Sequence, residues 1–133
     1  ADVNIDMIGR VDTLHNNSNY TYVIGSDRLS TDLHRINESM NQQYTHLDLD
    51  YTYNADDDPN RFYYRSDHYN FAKNGIPAIF FFSGVHADYH RPTDTPDKIM
   101  FDKAQTIAQL AFYTAWELAN RDERIIVDVI GRN

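Results

Sequence analysis

The residues that could do chemistry crowd into one segment, between Ser83 and Lys98. Ionisable side chains follow one another closely there: His86, Asp88, Tyr89, His90, Arg91, Asp94 and Asp97. The segment follows an apolar run, residues 76–82, that is long enough for a buried strand and too short for a helix. Because ligands of α/β proteins bind beyond the carboxyl ends of strands, the segment is predicted to be a site loop.

A second candidate, Asp6, lies near the carboxyl end of the first predicted strand, residues 3–9. It interrupts an apolar run, and a carboxylate in such a place is costly to desolvate unless a cation, a metal or several N–H donors compensate. The sequence leaves two interpretations open for Asp6. It is either a structural residue that caps the following turn, or a metal ligand or catalytic carboxylate.

Other polar patterns carry less weight. The His-x-Asp triplets at residues 46–48 and 86–88 could each present two ligands on one face of a strand, but the first is better explained as an alternating edge strand. Residues 66–68, Ser-Asp-His, are not a nucleophilic triad because neighbouring side chains diverge. The aspartates at residues 56–58 lack the spacing of a calcium-binding loop. Taken alone, these residues allow a His/Asp metal hydrolase.

Composition narrows the function classes. The 133 residues suit one domain, and the formal charge of −8 argues against a nucleic-acid partner, which would need a basic surface. The absence of cysteine excludes disulfides and thiolate metal sites, so any metal must be held by His, Asp or Glu. No apolar run reaches membrane-spanning length, and we expect no membrane span.

The predicted elements alternate between strands and helices, which indicates an α/β layered fold. Strands are predicted at residues 3–9, 20–26, 47–53 and 76–82. Helices are predicted at residues 28–43, in a short stretch after Ser66, and at residues 102–121. The last helix is expected to start at an Asp102–Gln105 capping pair and to be largely buried, with Trp116 among its apolar residues. Residues 124–133 are predicted as a short strand or tail, and His15 is expected in solvent.

Three separated motifs then add a family resemblance. They are Asn4-Ile5-Asp6-Met7-Ile8-Gly9-Arg10; Arg65-Ser66-Asp67-His68 with Phe71 and Gly75-Ile76-Pro77-Ala78; and Tyr89-His90 with Thr93-Asp94-Thr95-Pro96-Asp97. In this order they resemble the carboxyl-terminal half of the M28 family of co-catalytic zinc aminopeptidases, from Val3 to about Arg121. The resemblance implies part of a mixed, mostly parallel sheet flanked by helices. Residues 1–133 would then be the C-terminal portion of one zinc-peptidase catalytic domain, truncated at its N-terminus.

The resemblance also implies roles for single residues. Asp6 resembles the terminal carboxylate ligand of one zinc ion, and His90 resembles the histidine ligand of the other. Tyr89 resembles a tyrosine that helps to stabilise the oxyanion in some members of the family. Asp67 is expected to support the metal site without touching the metal, and Arg65 either contacts the peptide substrate or pairs with the acidic loop. Export to an extracellular or periplasmic location is expected because it is common in the family.

The family's remaining ligands precede the first motif: a His, a bridging Asp, and a Glu beside the general-base Glu. A catalytic zinc needs at least three protein ligands, so the 133 residues alone are predicted neither to hold two zinc ions tightly nor to cleave peptides. An exposed sheet edge would also favour a homodimer. Two alternatives remain open: a glutaminyl-cyclase-like acyltransferase with one zinc, and a non-catalytic domain that serves protein association.

Overall fold

A four-stranded open sheet forms the centre of the molecule. The computed structural model describes residues 1–131. The strands are β1 (Asp2–Ile5), β2 (Tyr20–Ile24), β3 (Asp48–Asp50) and β4 (Ala78–Phe82), and their order across the sheet is β1-β4-β2-β3. β1 is parallel to β4 and β2 is parallel to β3, whereas β2 and β4 are antiparallel. The predicted mixed, mostly parallel sheet is therefore confirmed.

Three helices flank the sheet. α1 (Thr31–Met40) begins at Ser30, whose hydroxyl accepts the backbone N–H of Leu33, and it continues into a π-helical turn, Asn41–Thr45. α2 (His68–Ala72) is a single short helix, and α3 (Phe101–Asn120) is the longest element. Short 3-10 turns lie at Thr52–Asn54, Phe62–Tyr64 and Pro96–Lys98. Within residues 1–131 no helix combines the length and the apolar character needed to cross a membrane.

The core lies on both faces of the sheet, because β2 and β4 are buried along their whole length. One face packs against α1 and α3 through Leu33, Ile79, Phe81, Ile107 and Leu110. The other face is aromatic and includes Tyr20, Tyr22, Phe62, Tyr63, Phe80 and Phe82. Alternate residues of one strand point to opposite faces, which explains why Phe80 and Phe81 belong to different cores. Both cores support the strand ends from which the candidate site extends.

Several local predictions were wrong. No side chain caps α3, because its N-cap position is Met100 and not Asp102. Trp116 is 59% exposed, since only the side of α3 that faces the sheet is covered in residues 1–131. The strand predicted at residues 47–53 pairs only over Asp48–Asp50 and then turns into a 3-10 helix. By contrast, residues 124–131 form no strand, which agrees with the tail that was the alternative prediction for residues 124–133; residues 132 and 133 lie outside the described residues.

The prediction that His15 lies in solvent was also wrong. Its side chain is 17% exposed, and its two ring nitrogens lie 3.0 Å from Asp12 Oδ1 and 3.1 Å from Asp50 Oδ2. The ring stacks on Tyr20, with the ring centroids 3.4 Å apart. A turn-rich sequence predicted the loop correctly, but it could not show that the loop folds back onto β2 and β3.

Candidate active site

Asp6 lies just beyond β1 with its carboxylate exposed and oriented by neighbours. Its backbone N–H donates to Phe81 O at 3.2 Å, which fixes the main chain at the sheet edge. Ser66 donates its hydroxyl to Asp6 Oδ2 at 2.8 Å, and the Asn4 side-chain amide donates to the Ser66 hydroxyl at 2.9 Å. Among residues 1–131 no side chain or backbone group donates a hydrogen bond to Oδ1. Asp6 therefore presents one held oxygen and one oxygen that can accept a ligand.

Three of the predicted site residues line one small pocket of about 40 Å³: Asp6, Arg65 and Tyr89. Its remaining walls are Ser66 and apolar side chains, mainly Met7, Phe62, Phe80, Phe82 and Val85. The guanidinium of Arg65 lies 4.8 Å from the centre of the Phe62 ring, and its Nη2 is 3.5 Å from the Tyr89 hydroxyl oxygen. A carboxylate, a guanidinium and a phenol thus converge above an aromatic floor.

His90 follows Tyr89 in the loop and is exposed, with a left-handed backbone conformation at φ 56°. Its ring stacks on the Tyr89 ring at a centroid distance of 3.8 Å and an interplanar angle of 21°. His90 is not among the residues that line the pocket with Asp6. His90 is therefore connected to the pocket by the stacking of its ring on Tyr89, which does line the pocket.

Ion pairs give the loop between β4 and α3 its shape. Arg10 Nη2 lies 2.7 Å from Asp88 Oδ2, and Arg10 Nη1 lies 2.9 Å from Asp94 Oδ1. Lys98 Nζ lies 3.0 Å from the other oxygen of Asp88. Hydrogen bonds from Arg10, Thr93 and Lys98 hold the pKa of Asp88 well below its usual range. Asp88 is thus an ionised anchor of the loop at neutral pH.

The motif at residues 65–68 contributes in a different way from the one expected. Asp67 is exposed just ahead of α2, whereas its neighbour Ser66 contacts Asp6. The supporting role of Asp67 stays a prediction, and Ser66 is the supporting residue that sequence reasoning missed. A Ser-to-Asp contact over 60 positions has no local signal, although Ser66 lies inside a motif that was singled out.

A zinc ion is the metal that the resemblance implies. Carboxylate and imidazole are suitable ligand types for it, and Asp6 and His90 supply one of each. However, no group of three or more metal-binding side chains lies within reach of a common ion in residues 1–131. Since a catalytic zinc needs at least three protein ligands, this stretch alone does not fit a complete zinc site.

Comparison with known families supports the same relationship. The family model described as "Peptidase family M28" matches residues 1–115. The chain belongs to this family. A comparison with curated protein sequences gives no match.

Solved structures of aminopeptidases resemble the M28 chain closely in fold. The LapA aminopeptidase of Legionella pneumophila is 25% identical with a TM-score of 0.70, and the match covers 91% of this chain and 31% of that one. The aminopeptidase of Aneurinibacillus sp. strain AM-1 is 22% identical with a TM-score of 0.62, covering 97% and 28%. The zinc aminopeptidase BSAP of Bacillus subtilis is 20% identical with a TM-score of 0.61, covering 96% and 30%.

The similarity to the Aneurinibacillus and Bacillus subtilis enzymes, at 22% and 20% identity, shows a shared fold alone. The described M28 chain spans about a third of the length of each of these structures. The comparisons therefore establish an M28 peptidase relationship and an aminopeptidase-like fold for residues 1–115 and beyond.

Proposed function

We propose that this chain is the C-terminal portion of the catalytic domain of a zinc aminopeptidase, which hydrolyses N-terminal peptide bonds. The observation that carries the proposal is the exposed Asp6 carboxylate, held through one oxygen by Ser66 and open at the other. Its pocket also contains Tyr89, on which His90 stacks. Family membership supports the reaction class, and the structural neighbour from Bacillus subtilis is a zinc aminopeptidase.

Each residue then has a stated task. Asp6 and His90 would each hold one of two zinc ions, and bound zinc would supply activation of the attacking water and polarisation of the scissile carbonyl. Ser66 keeps the Asp6 carboxylate in one orientation through its hydrogen bond. The Tyr89 hydroxyl would donate to the oxyanion. Arg65, 3.5 Å from that hydroxyl oxygen, would contact the peptide.

Zinc affinity and peptide release test the proposal together. Residues 1–133 alone are expected to bind zinc weakly and to release no aminoacyl reporter, because the resemblance assigns ligand roles in this stretch to Asp6 and His90 alone. Robust zinc-dependent release by these 133 residues would contradict this. A longer protein that supplies a His, a bridging Asp and a Glu-Glu pair is expected to be active.

Variants of that longer protein locate the ligands. Asp6→Asn and His90→Gln are expected to abolish tight zinc binding, measured by competition with a chromophoric chelator. Ser66→Ala is expected to weaken zinc binding roughly 10–100-fold, as loss of an outer hydrogen bond to a ligand does. Asp48→Asn, an exposed carboxylate on β3, is the matched control and should change neither zinc affinity nor kcat/KM. Cyclisation of N-terminal Gln would favour the glutaminyl-cyclase-like alternative. Tight zinc binding without any turnover would favour the non-catalytic domain that serves protein association.

Two further proposals concern the context of the protein. The edge of β1 that faces away from β4 has no partner strand in residues 1–131, and we propose that two copies pair there. An extracellular or periplasmic location is proposed from the resemblance alone. Cell fractionation with an antibody against this chain tests the second proposal directly.

A further inference from the structure

His15 bridges two carboxylates. Its Nδ1 lies 3.0 Å from Asp12 Oδ1 and its Nε2 lies 3.1 Å from Asp50 Oδ2. Ionised carboxylates only accept hydrogen bonds, so a bridge between two of them needs a donor at both ring nitrogens, which is the form that an imidazolium supplies. The bridge joins the loop before β2 to the end of β3, 35 residues further along the chain.

Asp12 carries this bridge to the start of the candidate site loop. Its side chain is 5% exposed and packs against Gly84, where an added Cβ would meet Asp12 Oδ2 at 2.5 Å. The backbone N–H of Asp12 donates to the Tyr20 hydroxyl at 2.9 Å, and that hydroxyl donates to Ser83 O at 2.8 Å. Ser83 and Gly84 are the two residues at which β4 ends and the loop with Tyr89 and His90 begins.

The titratable groups around the bridge come from the loop of His15 itself and from four other elements. Asp12 lies on the same loop as His15, Asp50 lies on β3, and Tyr20 and Tyr22 lie on β2. The 3-10 turn after β3 adds Tyr53, whose ring centroid is 4.4 Å from that of Tyr22, and α3 adds Lys103, whose Nζ is 3.6 Å from the centre of the Tyr20 ring.

These groups keep Asp12 ionised. Burial alone would raise the pKa of Asp12, but hydrogen bonds from Tyr22 and His15 outweigh it and lower the pKa. Burial raises the pKa of Tyr20 to about 12, so this phenol stays neutral. Asp12 is thus an anion between the His15 imidazole and the Tyr22 hydroxyl, which donates to Asp12 Oδ2 at 2.5 Å.

We propose that His15 is a positioning residue for the loop of Tyr89 and His90. As an imidazolium it fixes Asp12 between Asp50 and Gly84, and Asp12 in turn fixes the direction in which the chain leaves β4. The importance of this loop for chemistry rests on the proposed function. The link from His15 through Asp12 to Gly84, called the clamp below, does not. The competing role is a purely local one, in which His15 holds residues 12–19 against β3 and does not affect the conformation of residues 83–90.

Amide hydrogen exchange of the metal-free chain separates these two roles. The backbone N–H of Ser83 donates to Met7 O and that of Tyr89 to His86 O. His15→Gln and Asp50→Asn are expected to speed exchange at both amides about tenfold, the weight of one hydrogen bond to a charged group. Asp48→Asn, on the same strand but exposed, is the matched control and should leave both amides unchanged. Faster exchange confined to residues 12–19 and 48–50 would overturn the proposal.

Nuclear magnetic resonance of the His15 ring in the unmodified chain gives a second readout that needs no variant. The ring 15N shifts of His15 at about pH 5 should report two protonated nitrogens; a neutral ring in the folded chain at that pH would also overturn the proposal.

The outcome is independent of zinc and of peptide cleavage. A chain that behaves as described but whose longer form binds no zinc would refute the proposed function and leave the clamp intact. A zinc aminopeptidase in which His15→Gln leaves Ser83 and Tyr89 unchanged would do the reverse.

Discussion

His68 is a buried imidazole directly behind the candidate site. Its side chain is fully buried, with its ring stacked on Phe80 at a centroid distance of 4.7 Å. Burial lowers the pKa of His68 to about 4, although the charges of Asp6 and Asp67 oppose this. The ring is therefore neutral at neutral pH and behaves as part of the aromatic core. The motif Ser-Asp-His thus supplies an exposed carboxylate and a core residue side by side.

This burial predicts acid sensitivity. The pKa of His68 is lower in the folded chain than in the unfolded chain, so its stabilising contribution is complete above about pH 6.5 and is lost as pH falls towards about 4. The loss amounts to about 3 kcal/mol of unfolding free energy. Urea unfolding at several pH values should show this fall in the unmodified chain and a much flatter profile in His68→Leu. The exposed His46→Asn is the control; equal slopes in all three proteins would contradict the prediction.

Single residues also show how far sequence reasoning reached at the site. Asp6, Tyr89 and His90 could be selected because each lies inside a motif at a predicted strand end. Ser66 and His15 could not be assigned partners, because their contacts to Asp6 and Asp50 cross 60 and 35 positions of the chain. Such pairs depend on how strands are ordered in the sheet. A single sequence carries no direct signal of that order.

At the scale of elements, the buried strand β4 was the most predictable part of the fold. Its continuous apolar run has no alternation, as expected for a strand covered on both faces. The long helix α3 was also predictable in extent, but not in which side is covered, because its apolar residues surround the axis. The short β3 was overestimated: its alternating pattern continues through residue 53, yet the chain turns away after Asp50.

The junction between β4 and the site loop depends on a glycine. Gly84 has φ +89°, and a side chain there would collide with Asp12; Gly75 has φ +77° and open space around it. Gly75→Ala is expected to destabilise the chain by about 1 kcal/mol through the left-handed backbone alone. Gly84→Ala should cost about 2–4 kcal/mol, because displacement of Asp12 is added. Urea unfolding of the two variants measures the difference, and equal losses would show that Asp12 yields freely.

At the scale of the whole molecule, the sheet is open, and β1 forms one of its two edges. The backbone N–H of Asp2, in β1, donates to Pro77 O, just before β4. The backbone N–H of Asp6, just after β1, donates to Phe81 O in β4. Alternate residues of a strand direct their backbone groups to opposite sides, so Val3 and Ile5 direct theirs towards the unpaired edge. An edge of this kind is a template for another strand. The formal charge of −8 opposes association, but salt near 0.15 M screens most of that repulsion.

Pairing of two copies through this edge predicts a difference between two substitutions at one position. Ile5→Ala and Ile5→Pro both remove the same 42% exposed side chain, but only proline removes the outward N–H group. Light scattering at about 0.15 M salt, where repulsion is screened, should find a dimer for the unmodified chain and for Ile5→Ala, and a monomer for Ile5→Pro. Hydrogen exchange at Asp6, whose N–H donates to Phe81 O, checks that β1 remains paired with β4 in both variants. A monomeric unmodified chain would refute edge pairing. A dimer that survives Ile5→Pro would place the contact elsewhere, and the exposed face of α3 with Phe112 and Trp116 would be the next surface to test.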